Sequence, residues 1–572
     1  MRKMRTNKNL IFTLTLMSFV LIVTQGCKTD KNISVAGNYY TTVDKTIIPN
    51  PKPVVASKID DPADFISKGY GQWHFGPGIP VERRMDLMPT DYDPRDVTKT
   101  AQLLRFFTMT DIHITDKESP GQGIVFAPMA GSNGISCYAP LMLYTTHMLN
   151  AAIQTINVIH KTNPFDFGLA LGDMANSTQY NEFRWFIDIL DGKEINPDSG
   201  TKDNITNGSN NDYQDAFQAE GLNASIPWYA TIGNHDHFWL GSANMSAYML
   251  SALTGNTIMQ MGNILSSKDP YKYSTGTIDG STPYGTIIGS GRADTLKNIP
   301  IIAPDSDRRS LTSSEAMREF SNTITLPVGH GFVQSNAANK YRGSYSFIPK
   351  STIPIKIIVL DDTQDSTDPM PSDGIYGHGE LNNGRYEWLM AQLKAGQDAN
   401  QLMIISAHVP IGVSPAGSPM SWLPTKNYSS EADLIAKLQA FSNLILWVAG
   451  HRHLNTVKAF PSINEAHPEN GFWQVETKSL REFPEQFRTF DIVRNSDNSI
   501  SIITTDVDPN VKEGTLAAIG RTYAIASNQL YGLPTDNEIK DNGPVSYNAN
   551  LLKKLSKTME VEIAKYGTPI KK

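Results

Sequence analysis

The chain has 572 residues, of which 40% are hydrophobic and 19% charged, a globular balance with length enough for two or more domains and a large core. Its net charge of -7, with no block of like charge, gives no basis for expecting nucleic-acid binding through bulk electrostatics. Any partner must therefore be argued from local chemistry.

Residues 1–27 read as a processing segment. Arg2, Lys3, Arg5 and Lys8 precede an apolar run over 10–23, and Gly26-Cys27 closes it. The run is short for a membrane-crossing helix. A small residue directly before cysteine resembles the bacterial lipobox, in which the cysteine carries lipid and becomes the mature N-terminus. Thr24 departs from it, standing where an aliphatic residue is usual. An ordinary cleaved signal or an uncleaved anchor are the alternatives, and all three place the protein outside the cytoplasm. The expectation is an exported, membrane-anchored lipoprotein facing the periplasm or the cell exterior, tethered through Cys27. Cys137 is the other cysteine, so a lipidated Cys27 leaves no intrachain disulfide.

Residues 28–100 are rich in Pro, Asp and Lys, and Pro49, Pro51 and Pro53 fall at alternate positions, so this stretch is expected to be an extended linker. From 101 the pattern alternates. Strand-like runs at 103–110, 165–171 and 227–232 are separated by helical periodicity at 140–160 and 182–190. The alternation resumes with strands at 355–360, 402–406 and 444–448 around helices at 385–394 and 432–441. Runs at 456–460, 471–477, 489–494 and 499–505 then look like antiparallel strands. This predicts an α/β sandwich with buried, largely parallel strands and a β-rich end, over 101–508. Two insertions interrupt it, near 196–223 and 237–340. Long loops at strand ends build specificity, so these are candidate substrate-facing walls, with plain surface elaboration as the alternative. Residues 509–572 are expected to be a C-terminal helical extension, with patterns at 516–530 and 551–566.

Five runs carry the chemistry, each ending an apolar strand-like segment: Asp111-Ile112-His113, Gly172-Asp173, Gly233-Asn234-His235-Asp236, Ala407-His408 and Gly450-His451-Arg452-His453. Together they offer carboxylates, a neutral amide oxygen and imidazoles, the donor set that borderline divalent metals accept. Asp111 and His113, two apart at a strand end, are expected to leave the same face and grip one ion. Asp173 is short and anionic, suited to bridge two cations.

The ordered set D-x-H, G-D, G-N-H-D, H and G-H-x-H resembles the calcineurin-like metallophosphoesterase superfamily, over roughly 103–506. The resemblance implies a metallophosphoesterase-type β-sandwich of two mixed sheets flanked by helices. It also implies two divalent ions, Mn, Zn or Fe, one held by Asp111, His113, Asp173 and His453 and the other by Asp173, Asn234, His408 and His451. His235 is then no ligand but contacts the phosphoryl group and protonates the leaving oxygen. The implied activity is hydrolysis of a small phosphate ester, mono- or diester, by a metal-bridging hydroxide, since two nearby ions acidify water and stabilise charge on the phosphoryl oxygens. The alternative is a non-catalytic cell-surface protein that holds a phosphate-bearing ligand in the metal cleft.

Absent features narrow the subfamily. Asn176 stands where purple acid phosphatases have tyrosine, and the runs around Asp173 and Asp236 depart from those of protein Ser/Thr phosphatases. Gly-Asn-His-Asp is shared with cyclic-nucleotide phosphodiesterase-like members. Asn176 and His237 are candidate substrate contacts. Asp361-Asp362-Thr363 and His378 are expected to have structural turn roles, and Arg452 to point away from the ligands.

Overall fold

A computed structural model of the chain describes residues 38–200, 215–332, 343–413, 421–533 and 546–570. The segment 1–27 with Cys27, and residues 201–214 and 333–342 of the two insertions, lie outside the described residues.

The strands of the body are, in chain order, β1 (Glu82–Leu87), β2 (Lys99–Met109), β3 (Phe167–Ala170), β4 (Trp228–Ala230), β5 (Tyr345–Phe347), β6 (Ile355–Val359), β7 (Leu402–Ser406), β8 (Leu444–Ala449), β9 (Thr456–Phe460), β10 (Phe472–Glu476), β11 (Phe487–Asn495), β12 (Ile500–Val507), β13 (Asn548–Lys553) and β14 (Thr568–Pro569). They form two mixed sheets. One runs β5-β6-β7-β8-β10-β9, and the other runs β1-β13-β12-β11-β2-β3-β4, with β14 added against β2. The helices that accompany the two sheets include α1 (Thr145–Thr162), α2 (Tyr180–Asp191), α3 (Asn383–Asp398), α4 (Glu431–Leu438) and α5 (Leu516–Tyr531).

β6, β7 and β8 are parallel and buried along their whole length, which explains why they read as continuous apolar runs rather than alternating ones. Their side chains still alternate between two cores. Ile355, Ile357, Val359 and Ile404 join the core shared with the other sheet and with α1 and α2, whereas Ile358, Met403 and Ile405 pack with Leu389 and Leu393 of α3 and Leu434 and Leu438 of α4. The shared core includes Phe106, stacked 5.0 Å from Phe167 and 4.8 Å from Phe490. Burying each such ring is worth about 1.5–3 kcal/mol. Buried hydroxyl pairs stitch the sheets together where the strands end: Thr108 Oγ1 lies 2.7 Å from Thr477 Oγ1, and Thr231 Oγ1 lies 2.9 Å from Ser406 Oγ.

Three sequence expectations change. From residue 38 on, the stretch read as a linker over 28–100 is packed on the body: Lys45–Pro49 pairs with Trp73–Pro77, Ile47, Phe65 and Tyr70 share a core with Tyr523 and Ile525 of α5, and β1 adds in parallel to β13. The charged β1 has no apolar alternation because it closes a sheet edge, where charge discourages further pairing. The helical pattern at 551–566 splits into β13 and a short helix, Lys557–Ile563, because pairing with β12 overrides local periodicity. β10 is not purely antiparallel, since it pairs with β8 in parallel and with β9 antiparallel. The described part of the second insertion is an ordered subdomain with a three-stranded sheet of Gln260–Gly262, Lys272–Asp279 and Thr286–Arg292. Among the described residues, no helix is long and apolar enough to cross a membrane.

Candidate metal centre

The five runs follow the carboxyl ends of β2, β3, β4, β7 and β8, the place where parallel strands present ligands. Asp111 and His113 do not converge by strand alternation as expected, because β2 stops at Met109 and both residues have left-handed backbone, φ 51° and 46°. Asp173, His451 and His453 share this feature, at φ 52°, 71° and 54°. Such backbone costs on the order of 1–3 kcal/mol per residue and persists only where the surroundings over-determine it. Here the loops clamp one another. Asp111 N donates to Gly172 O at 3.1 Å, His113 N to Asp173 O at 2.9 Å, and His451 N to Asp111 Oδ2 at 2.9 Å.

Two glycines make these approaches sterically feasible. A Cβ on Gly172, at φ +101°, would meet His408 Nδ1 at 2.6 Å, and one on Gly450 would meet Asp111 Oδ2 at 2.5 Å.

The ligand atoms fall into two groups. Asp111 Oδ1 is 3.3 Å from His453 Nε2 and 3.9 Å from His113 Nε2, and the two imidazole nitrogens are 3.2 Å apart. On the other side, Asn234 Oδ1 is 2.9 Å from His408 Nε2 and 3.0 Å from His451 Nδ1. Asp173 Oδ2 stands between the groups, 3.3 Å from His408 Nε2 and 3.8 Å from His113 Nε2. The seven residues expected as ligands are thus brought together. His235 joins them, with its ring centroid 4.4 Å from that of His113.

Four of the ligand side chains are aimed by a bond from their second polar atom, whereas His113 Nδ1 and His451 Nε2 have no such partner. His408 Nδ1 donates to Leu171 O at 2.8 Å, leaving Nε2 to face the cluster. Asn234 Nδ2 donates to Gly241 O at 3.0 Å, so its oxygen points inward, and Asp173 Oδ1 accepts from His235 N at 2.8 Å. His453 Nδ1 is held by Glu482 Oε2 at 2.9 Å. His235 Nδ1 donates to Asn176 O at 2.7 Å, which leaves Nε2 free for chemistry.

Asp236 accepts the backbone N–H groups of Asp173, Met174, Ala175 and Gly233, tying two ligand loops into one unit. Asp362 accepts those of His408 and Val409. The carboxyls of Asp236 and Asp362 are both pushed up to about 7, chiefly by burial. Sequence reasoning missed Asp236 as a positioning group, and it missed Glu482 entirely. No spacing relates Glu482 to His453; the connection between β10 and β11 brings it in.

The field of the cluster favours cations. Burial disfavours charge on His408 and His453, yet carboxylates reverse this and push both up to about 10: Asp173, Asp111 and Asp362 around the first, Glu482 and Asp111 around the second. Burial and neighbouring imidazoles hold His113 and His451 well below the usual range. Converging carboxylate, amide and imidazole donors in such a field fit divalent cations.

Of the lesser candidates, His237, His378 and Arg452 are engaged by side chains outside the cluster. His237 Nδ1 is bonded to Ser313 Oγ at 2.6 Å, and Nε2 sits 3.6 Å from Asp361 Oδ1. His378 is held by Ser421 and Asp373, and Arg452 pairs with Glu476. Asn176 is buried with neither carboxamide atom hydrogen-bonded.

No family model matches the chain, and no curated protein does. Among solved structures, a dimetal phosphatase from Danio rerio is similar to it at 10% sequence identity and a TM-score of 0.38, over 71% of this chain and 97% of that one. A likeness of that degree assigns no residue a role, so the roles rest on the geometry above.

Proposed function

We propose that the chain is a dinuclear metal-dependent phosphoesterase of the calcineurin-like superfamily, acting on a small phosphate ester. The observation that carries this reading is the position of Asp173 Oδ2 between two groups of donors. Asp111, His113, Asp173 and His453 would hold one ion, and Asp173, Asn234, His408 and His451 the other. Two divalent ions there supply Lewis acidity, activating water and neutralising charge on the phosphoryl oxygens.

The chain's own residues do the rest. An oxygen from water bonds to phosphorus as the water yields a proton to solvent, the bond from phosphorus to the leaving oxygen breaks, and His235 Nε2 delivers a proton to that oxygen and later regains one from solvent. Asn176 O fixes the His235 tautomer for this task. Burial lowers the His235 pKa, while Asp173 and the bond to Asn176 O oppose that shift.

His235→Ala is expected to lose about 10²–10⁴ in kcat on p-nitrophenyl phosphate while keeping its metals, checked by steady-state kinetics and elemental analysis. If Mn, Zn, Fe and Co all bind but none supports hydrolysis, the chain is instead a non-catalytic phosphate-ligand binder. We also propose export and lipid anchoring through Cys27. Metabolic palmitate labelling should vanish in Cys27→Ser, and equal labelling of the variant would exclude that anchor.

A further inference from the structure

We propose that Arg481 binds a non-bridging phosphoryl oxygen of the substrate and thereby fits the site to phosphomonoesters over phosphodiesters, an inference that rests on the phosphoesterase reading above. Arg481 is 2% exposed. Its Nη2 donates to Ile135 O at 3.0 Å, while Nε and Nη1 have no hydrogen-bond partner. A buried guanidinium with idle donors is expensive, because it has given up water without replacing it. The adjacent Glu482 acts on it as an opposite charge but makes no hydrogen bond to it, its Oε2 being engaged by His453 and its Oε1 having no partner.

The loop that carries Arg481 is fastened to the metal centre on both sides of it. Ser479 Oγ donates to Asp111 O at 2.7 Å, Leu480 N donates to Thr110 O at 3.1 Å, and Arg481 N donates to Ser479 Oγ at 3.1 Å. One residue further on, Glu482 grips His453. The guanidinium acts electrostatically on both His113 and His235, which puts it within reach of the cluster. Asn176, whose carbonyl orients His235, adds a second buried side chain with unused donors.

These features describe an anion acceptor on the loop that clamps the metal centre rather than a hydrogen-bonded structural ion pair. A monoester has three non-bridging oxygens; if two face the ion pair, the third remains for the guanidinium. In a diester that third oxygen is a second ester oxygen, a weaker acceptor that carries an organic group.

The test compares the full chain with Arg481→Met and Arg481→Lys, each metal-loaded, on p-nitrophenyl phosphate and bis-p-nitrophenyl phosphate. Arg481→Met is expected to lose about 100-fold in kcat/KM on the monoester and less than roughly 5-fold on the diester, at unchanged metal content. Arg481→Lys, which keeps the buried charge but not the planar donor set, should fold if the methionine variant does not, and should lose about 10-fold on the monoester alone. Binding of inorganic phosphate to the metal-loaded proteins, read by calorimetry, should weaken about 10-fold or more in either variant. A parallel fall on both esters, or equal phosphate affinity in wild type and variants, overturns the proposal. If the wild type cleaves neither ester, the phosphoesterase reading fails, and phosphate affinity still decides the role of Arg481.

Discussion

The two halves of the candidate metal centre are built differently. In the half formed by Asn234, His408 and His451, the backbone aims the donors: Leu171 O orients His408, Gly241 O orients Asn234, and the N–H groups of His408 and Val409 are anchored on Asp362. In the half formed by Asp111, His113 and His453, the His451 N–H holds Asp111, but His453 is aimed by the side chain of Glu482 and is 15% exposed. The first half is fixed by the sandwich itself. In the second, His453 depends on one carboxylate from a loop, so it is the half whose ion should be lost first.

Breaking the group common to both should have the largest effect. Asp173→Asn removes the shared anionic oxygen and is expected to abolish binding of both ions and lower kcat/KM by roughly 10⁴-fold. Retention of two ions per chain by elemental analysis would show that Asp173 is not the bridge.

Glu482→Gln sharpens the contrast. The ion on the His453 side should weaken about 10- to 100-fold while the other stays, giving two separated steps in a metal titration. A uniform weakening of both would mean the halves are not independent.

A pH series probes the same difference without mutation. In chelator-stripped protein the pKa values of His408 and His453 are raised to about 10 from 6.5, so the stability they add is complete below pH 6.5 and lost as pH climbs through 10. Glu182 and Glu485, pushed up by burial to about 8 from 4.5, act in the same direction up to that pH. The Tm of stripped protein should therefore fall between pH 6.5 and 9. Loaded protein should resist that fall, because ions take the place of the two protons. Identical profiles with and without metal would deny the exchange.

His378→Ala should matter least. Its ring is engaged by Ser421 and Asp373 outside the cluster, so metal content should not change and activity should stay within about 2-fold. A loss comparable to that of His235→Ala would place His378 in the site.

The parts of this centre legible in the sequence are those where chemistry and local structure coincide. Buried parallel strands read as apolar runs, and each ligand follows directly, often after a glycine that the close packing requires. What could not be read depends on distant segments meeting. The left-handed backbone of Asp111, His113 and Asp173 is imposed by hydrogen bonds between loops, and no residue type at those positions announces it. Glu482 and Arg481 lie in the connection that carries the chain from one sheet to the other, so their neighbours are set by topology. Asp236 was visible in its motif, but its service to four backbone N–H groups was not. The packed state of residues 38–98 was hidden because their alternate prolines and charges describe a sheet edge as well as a linker.

The central claim is that two ions share Asp173 and act together. Chelator-stripped protein titrated with Mn or Zn, with bound metal and p-nitrophenyl phosphate hydrolysis followed in the same samples, tests it directly. The expected result is two ions per chain, with turnover rising only as the second site fills. Full turnover at one equivalent, or with no metal bound, would contradict it.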